Sequence, residues 1–135
     1  MKAIVSVFLV LAMAGFAPAA EPAHRHAPTP EMRKQHNSMS VMGKQWAVCK
    51  KCLETGDFTA AGESLARMQK AADDLEEFKL HRNADKRQQF VERSRAFREK
   101  VVRLKDALQA GDGNQTRELG KAVGDDCTSC HRMFK

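Results

Sequence analysis

The chain has no tyrosine and one tryptophan, Trp46, in 135 residues, and aromatic side chains make up 6% of it. Its Lys and Arg residues therefore have no aromatic platform interleaved with them, and nucleic acid is not expected as a partner. Strand-like alternation is missing throughout, as is any repeat at a fixed long spacing, which argues against a sheet protein and a solenoid. Past the first residues there is no apolar run long enough to cross a bilayer, so stable membrane insertion is not expected once those residues are removed. Nor is there a nucleophile, base and oxyanion arrangement of the hydrolytic kind, and the chain is expected not to be an enzyme.

What is present begins with a leader. Lys2 supplies a positive charge, residues 4–16 are largely apolar, and Ala17-Pro18-Ala19-Ala20 offers small residues for cleavage. Residues 1–20 read as a secretory signal peptide cut near Ala19 or Ala20, with an uncleaved anchor as the alternative. The mature protein is then exported, which in a bacterium means the periplasm. Residues 21–30 carry Pro22, Pro28 and Pro30 and read as an extended Pro-rich linker. His24 and His26 in that linker could hold a surface metal ion, but two histidines on a mobile segment bind weakly, and a solvated tail is the plainer reading. The formal charge is +6, one less without Lys2. Such a mildly basic surface favours encounters with acidic partners or anionic lipid heads.

The most informative stretch is Cys127-Thr128-Ser129-Cys130-His131. C-x-x-C-H is the pattern of covalent c-type haem attachment. Two thiols three residues apart on a helix share one face and can add to the two vinyl groups of one porphyrin. His131, four residues on from Cys127, stays on that side and can place an imidazole nitrogen on the iron as proximal ligand. One covalent haem c is the expected cofactor. The plainer alternative is a lone disulfide, or half of a zinc site, beside an incidental histidine.

Residues 31–135 read as four amphipathic helices. Thr29 is a plausible N-cap for the first, with Pro30 and Glu31 in its opening turn. Its apolar stripe is Met32, Met39, Met42, Trp46, Cys49 and Leu53, and Gly56 ends it. The second is expected to start near Asp57 and to run unbroken along Phe58, Ala61, Leu65, Met68, Ala72, Leu75 and Phe78. Asp73, Asp74, Glu76 and Glu77 then fall late in that helix, where they oppose its dipole, so a basic neighbour is expected to face them. A polar connection over residues 79–85 leads to a third helix with Phe90, Phe97, Val101, Leu104 and Leu108 on one face. Its other face holds Lys86, Arg87, Arg93, Arg95, Arg98, Lys100, Arg103 and Lys105, which is either solvated or a docking patch for redox partner proteins with acidic docking surfaces. After the turn at Gly111, Asp112 and Gly113, Asn114 can cap a fourth helix that buries Leu119, Val123, Cys127, Cys130 and Phe134. Short connections between helices of similar length predict an all-α, up-down-up-down antiparallel four-helix bundle.

The leader, the four helices and C-x-x-C-H in the last of them resemble the class II c-type cytochromes, the cytochrome c′ family, including its Met-ligated low-spin members. Gly56-Asp57-Phe58-Thr59-Ala60-Ala61 resembles that family's turn into helix two. Residues 123–135 resemble its haem helix, including an aromatic followed by a basic residue, Phe134-Lys135. The resemblance implies that helix one presents a side chain to the distal face of the haem, in a window that falls on Met39 and Ser40. Met39 lies on the apolar stripe and its thioether can bind iron, which makes it the candidate distal iron ligand. His36, Met42 or no protein ligand are the alternatives, since methionine also serves as a core gap-filler. Where the family often carries an arginine near the haem propionates, one turn before the distal residue, this chain has Gln35. Six-coordinate members transfer electrons. Five-coordinate members bind nitric oxide or carbon monoxide, and that is the alternative function.

Cys49 and Cys52 repeat the C-x-x-C spacing, but Leu53 stands where a haem motif needs histidine. They read as a strained disulfide, as one buried cysteine beside a spare thiol, or as an intermolecular bridge. A homodimer is left open. Four cysteines in two pairs also raise a remote alternative, a helical protein holding zinc or an iron–sulfur cluster.

Overall fold

The computed structural model describes residues 27–135. The signal-peptide segment, its cleavage site, His24 and His26 lie outside the described residues. Among the described residues the chain forms four α-helices and two short 3-10 turns, with no strand. The helices are α1 (Pro30–Thr55), α2 (Phe58–Ala71), α3 (Arg87–Gln109) and α4 (Gly113–Phe134). No described helix is long and apolar enough to cross a membrane.

Local chemistry sets most of the boundaries. The Thr29 hydroxyl accepts from the Met32 N–H at 3.2 Å and so caps α1. Gly56 ends α1 in the left-handed region, φ 77°, where a side chain would be strained. The cap of α4 is Asp112, not Asn114: its carboxylate accepts from the Gln115 N–H at 2.9 Å. Asp112 and Asn114 are both of good capping type, and the φ of 71° at Gly111 turns the chain so that Asp112 is the one in place.

α2 is shorter than its apolar stripe predicts. It ends at Ala71, and Leu75–Glu77 form a separate 3-10 turn. Ala72, Leu75 and Phe78 are nonetheless buried, so the periodicity identified core residues correctly and helix length wrongly. The reason is electrostatic. An acidic run at the C-terminal end of a helix opposes its dipole, and ending the helix first relieves that conflict. The expected basic neighbours are there. Arg95 reaches Glu76 at 2.8 Å, Arg98 reaches Glu76 at 3.3 Å and Asp73 at 3.6 Å, and Lys34 of α1 pairs with Asp74. Phe58, predicted on the core face, is exposed. As the first residue of α2 it points back past the packed part of the bundle, because side chains tilt toward the helix N-terminus.

Consecutive helices pack against one another, α1 on α2, α2 on α3 and α3 on α4. Short connections then make neighbours antiparallel. Leu65, Met68, Val101, Leu104, Val123 and Cys49 form the fully buried centre. α1 and α4 meet through Trp46, whose ring lies against two glycines of α4. A Cβ placed on Gly124 would stand 3.7 Å from the ring, and one on Gly120 would stand 4.0 Å away. From this bridge toward the N-terminal end of α1, the space between the two helices is a cavity rather than a helix–helix contact.

Candidate cofactor site

The cavity encloses about 740 Å³. That volume lies within the range of pockets that take drug-sized and cofactor-sized molecules. α4 supplies one wall with Cys127, Cys130 and His131, and α1 supplies another with Gln35, His36, Met39 and Met42. α3 adds Phe90, Ser94 and Phe97, and Phe134 meets Phe90 edge-on with ring centres 5.2 Å apart. The segment between the 3-10 turns adds Leu80 and His81.

That segment is fastened to the end of α4. Arg82 donates to the Lys135 carbonyl at 3.1 Å, and Asn83, itself in the left-handed region, donates to the Met133 carbonyl at 2.5 Å. Both bonds satisfy backbone acceptors that a helix C-terminus leaves open. Arg87 donates to the carbonyls of Phe78 and Glu76 and holds the other side of the segment. The turn of α4 that carries His131 is thus positioned by residues more than 40 positions upstream.

Cys127 and Cys130 are half-buried free thiols one turn apart. Burial first, then the Asp126 carboxylate, pushes the Cys127 thiol up to about 11. Burial also raises Cys130, while the nearby Arg93 guanidinium acts the other way. His131 stands at the cavity edge. Desolvation, then Lys135, lowers it from the usual histidine range and favours the neutral imidazole that a metal requires.

Cys127, Cys130, His131 and Met39 all lie on this one cavity, together with the alternatives His36 and Met42. Met39 is half-buried and packed against the core, whereas His36 is exposed. Counting back seven residues from Trp46 on α1, and forward along the antiparallel α4 from Gly120 and Gly124, puts Met39 opposite the Ser129–Cys130 region.

Gln35 is the clearest sign of what the cavity takes. It is 7% exposed, it lies on the cavity wall, and its Oε1 has no hydrogen-bond partner. A buried amide without a partner costs about 1–3 kcal/mol, so an occupant that can hydrogen-bond suits this wall. Two thiols at C-x-x-C spacing, an adjacent imidazole and a facing thioether fit a covalent haem c and few other groups.

Sequence reasoning missed His81, whose ring centre is 5.9 Å from that of His36. Nothing in its spacing marks it, since it comes from a connection rather than a helix stripe. It also missed Arg93, which donates to Ser129 Oγ at 3.2 Å. The rest of the basic face of α3 is largely engaged within the molecule: Arg95 and Arg98 on the acidic turn, Lys100 on Asp126 at 2.7 Å, and Lys105 toward Gln69. Among the described residues no group of three or more His, Cys, Asp or Glu could hold a metal ion by itself. The four-cysteine alternative therefore has no shared site. Cys49 is fully buried on the α1 stripe, where desolvation first, then Cys52, pushes its thiol up to about 11.

Fold and cavity define a four-helix-bundle protein with an internal cofactor-sized site between its first and last helices. Residues 81–135 match the family model described as Cytochrome C'. Comparisons with curated proteins and with solved structures gave no match.

Proposed function

We propose that this protein is an exported monohaem c-type cytochrome that carries electrons. One observation carries the reading: Cys127, Cys130 and His131 face Met39 across a single cavity, although they come from opposite ends of the chain. In this reading Cys127 and Cys130 would hold the haem through two thioethers, and His131 and Met39 would supply the ligands to its iron. The bound haem supplies an iron that takes up and releases one electron. Phe90, Phe97 and Phe134 keep water from its faces. The Met39 thioether favours the reduced state more than a nitrogen ligand would. Residues 1–20 direct export to the periplasm, where the partners are redox proteins with acidic docking surfaces.

The test is the absorption spectrum of protein matured with haem-attachment machinery, oxidised and reduced, with and without carbon monoxide. A low-spin spectrum with a methionine–iron band, insensitive to carbon monoxide and lost in Met39→Ala, is the expected result. A high-spin spectrum that shifts with carbon monoxide would replace electron transfer with gas binding. Absence of covalent haem would end both readings.

A further inference from the structure

Arg93 reaches from α3 onto the cavity wall, and its guanidinium donates to Ser129 Oγ at 3.2 Å. Ser129 stands between Cys127 and Cys130, and its own hydroxyl bonds back to the Asp126 carbonyl at 3.3 Å. The guanidinium is therefore held against the turn that carries both thiols. Its surroundings differ from those of Arg95, Arg98 and Lys100 on the same helix. Arg95 and Arg98 face carboxylates of the acidic turn, and Lys100, also on the cavity wall, is matched by Asp126 at 2.7 Å. Among the described residues, the hydrogen-bond partner of Arg93 is a neutral hydroxyl. A half-buried permanent cation whose charge is not cancelled locally sends its field into the apolar cavity, where screening is weak.

We propose that Arg93 is a residue that tunes reduction potential, with its charge held at the cysteine turn by Ser129 and favouring the reduced state of a haem bound in the cavity. This rests on the haem reading above. The sign follows from charge alone. Reduction brings one electron from an external donor into the site, and a nearby cation stabilises the state with the extra negative charge. By Coulomb's law at an effective dielectric of about 20, a unit charge roughly 12 to 25 Å away changes the ferrous-to-ferric ratio roughly ten- to threefold. A tenfold change corresponds to about 59 mV for a one-electron couple. Arg93 acts here as a positioning and electrostatic group, not as an iron ligand.

The experiment is a mediated potentiometric titration of the haem-loaded protein, after mass spectrometry has established covalent haem. At the wild-type midpoint, Arg93→Gln is expected to lower the ferrous-to-ferric ratio three- to tenfold, with the absorption bands unmoved. Arg93→Lys, which keeps the charge, is expected to restore most of the ratio. Arg103→Gln, on the exposed face of α3, is expected to leave it unchanged. An unmoved ratio in Arg93→Gln, or an equal fall in Arg93→Lys, overturns the assignment while leaving the haem reading intact. If Arg93→Gln does not mature, Ser129→Ala, which releases the guanidinium from the turn, is expected to lower the ratio by a smaller factor, and no change there overturns the assignment as well. Wild-type protein without covalent haem would instead overturn the reading on which it rests.

Discussion

Replacing Gly124 by alanine is expected to stabilise the protein, although Gly124 sits where α4 approaches Trp46 of α1. Glycine inside a helix costs about 1 kcal/mol relative to alanine, because the unfolded chain has more conformations to lose. Whether that gain is realised depends on what the new methyl meets. An alanine Cβ would stand 3.7 Å from Trp46 Cζ2 and 3.8 Å from its Nε1, ordinary contact distances that require no displacement. The expected net change is therefore about 1 kcal/mol in favour of the folded state, or roughly 4–8 °C in Tm for a domain of this size. Gly124→Leu reverses the sign. Its longer side chain must push Trp46, the bridge between α1 and α4, and overpacking of that kind costs about 1–3 kcal/mol. Urea unfolding followed by circular dichroism measures both variants, with the denaturant slope checked for constancy. A loss of 1 kcal/mol or more in Gly124→Ala would refute the reasoning, because it would mean that ring and helix are in tighter contact than these distances describe.

Leu104→Ala is expected to cost about 2–5 kcal/mol, as a fully buried side chain at the centre of the bundle, read from the same urea titration. A double-mutant cycle on Arg98 and Glu76 is expected to give a coupling of about 1 kcal/mol or less that falls with added salt, since both partners are partly exposed. Cys49, with its thiol raised from 9.0 to about 11 by burial, contributes stability that is complete below pH 9 and lost as pH rises toward 11. Wild type should therefore lose stability over that window relative to Cys49→Ala, as measured by urea midpoints at stepped pH. In native protein at pH 8, iodoacetamide is expected to modify Cys52 well before Cys49, with peptide mass spectrometry as the readout.

The sequence by itself determined the fold class and the α4 wall of the site. Apolar spacing of three and four residues has one structural meaning, so Leu65, Met68, Val101, Leu104 and Val123 identified themselves as core. Cys127, Cys130 and His131 are local, close enough in sequence that helix geometry alone puts them on one side. The length of α2 was not legible, because the apolar stripe continues through residues 72–78 while the acidic residues between its members make an α-helix unfavourable there.

Only tertiary structure decided what faces α4. Met39, His36 and Gln35 share a helix with Met32 and Met42, and spacing cannot tell which of them borders empty space and which borders packed side chains. That depends on how far α1 and α4 stand apart, and their separation is set by Trp46 against Gly120 and Gly124, at the end of the cavity. The roles of the charged residues were hidden for the same reason. A basic helix face reads alike whether its partners are solvent, another protein or residues 73–77 of the same chain, and the pairing of Arg95 and Arg98 with that segment appears only when α2 stops and the chain turns back. Short-range geometry is written in residue spacing, whereas charge pairing and cavity shape depend on distances between segments, which the folded chain fixes.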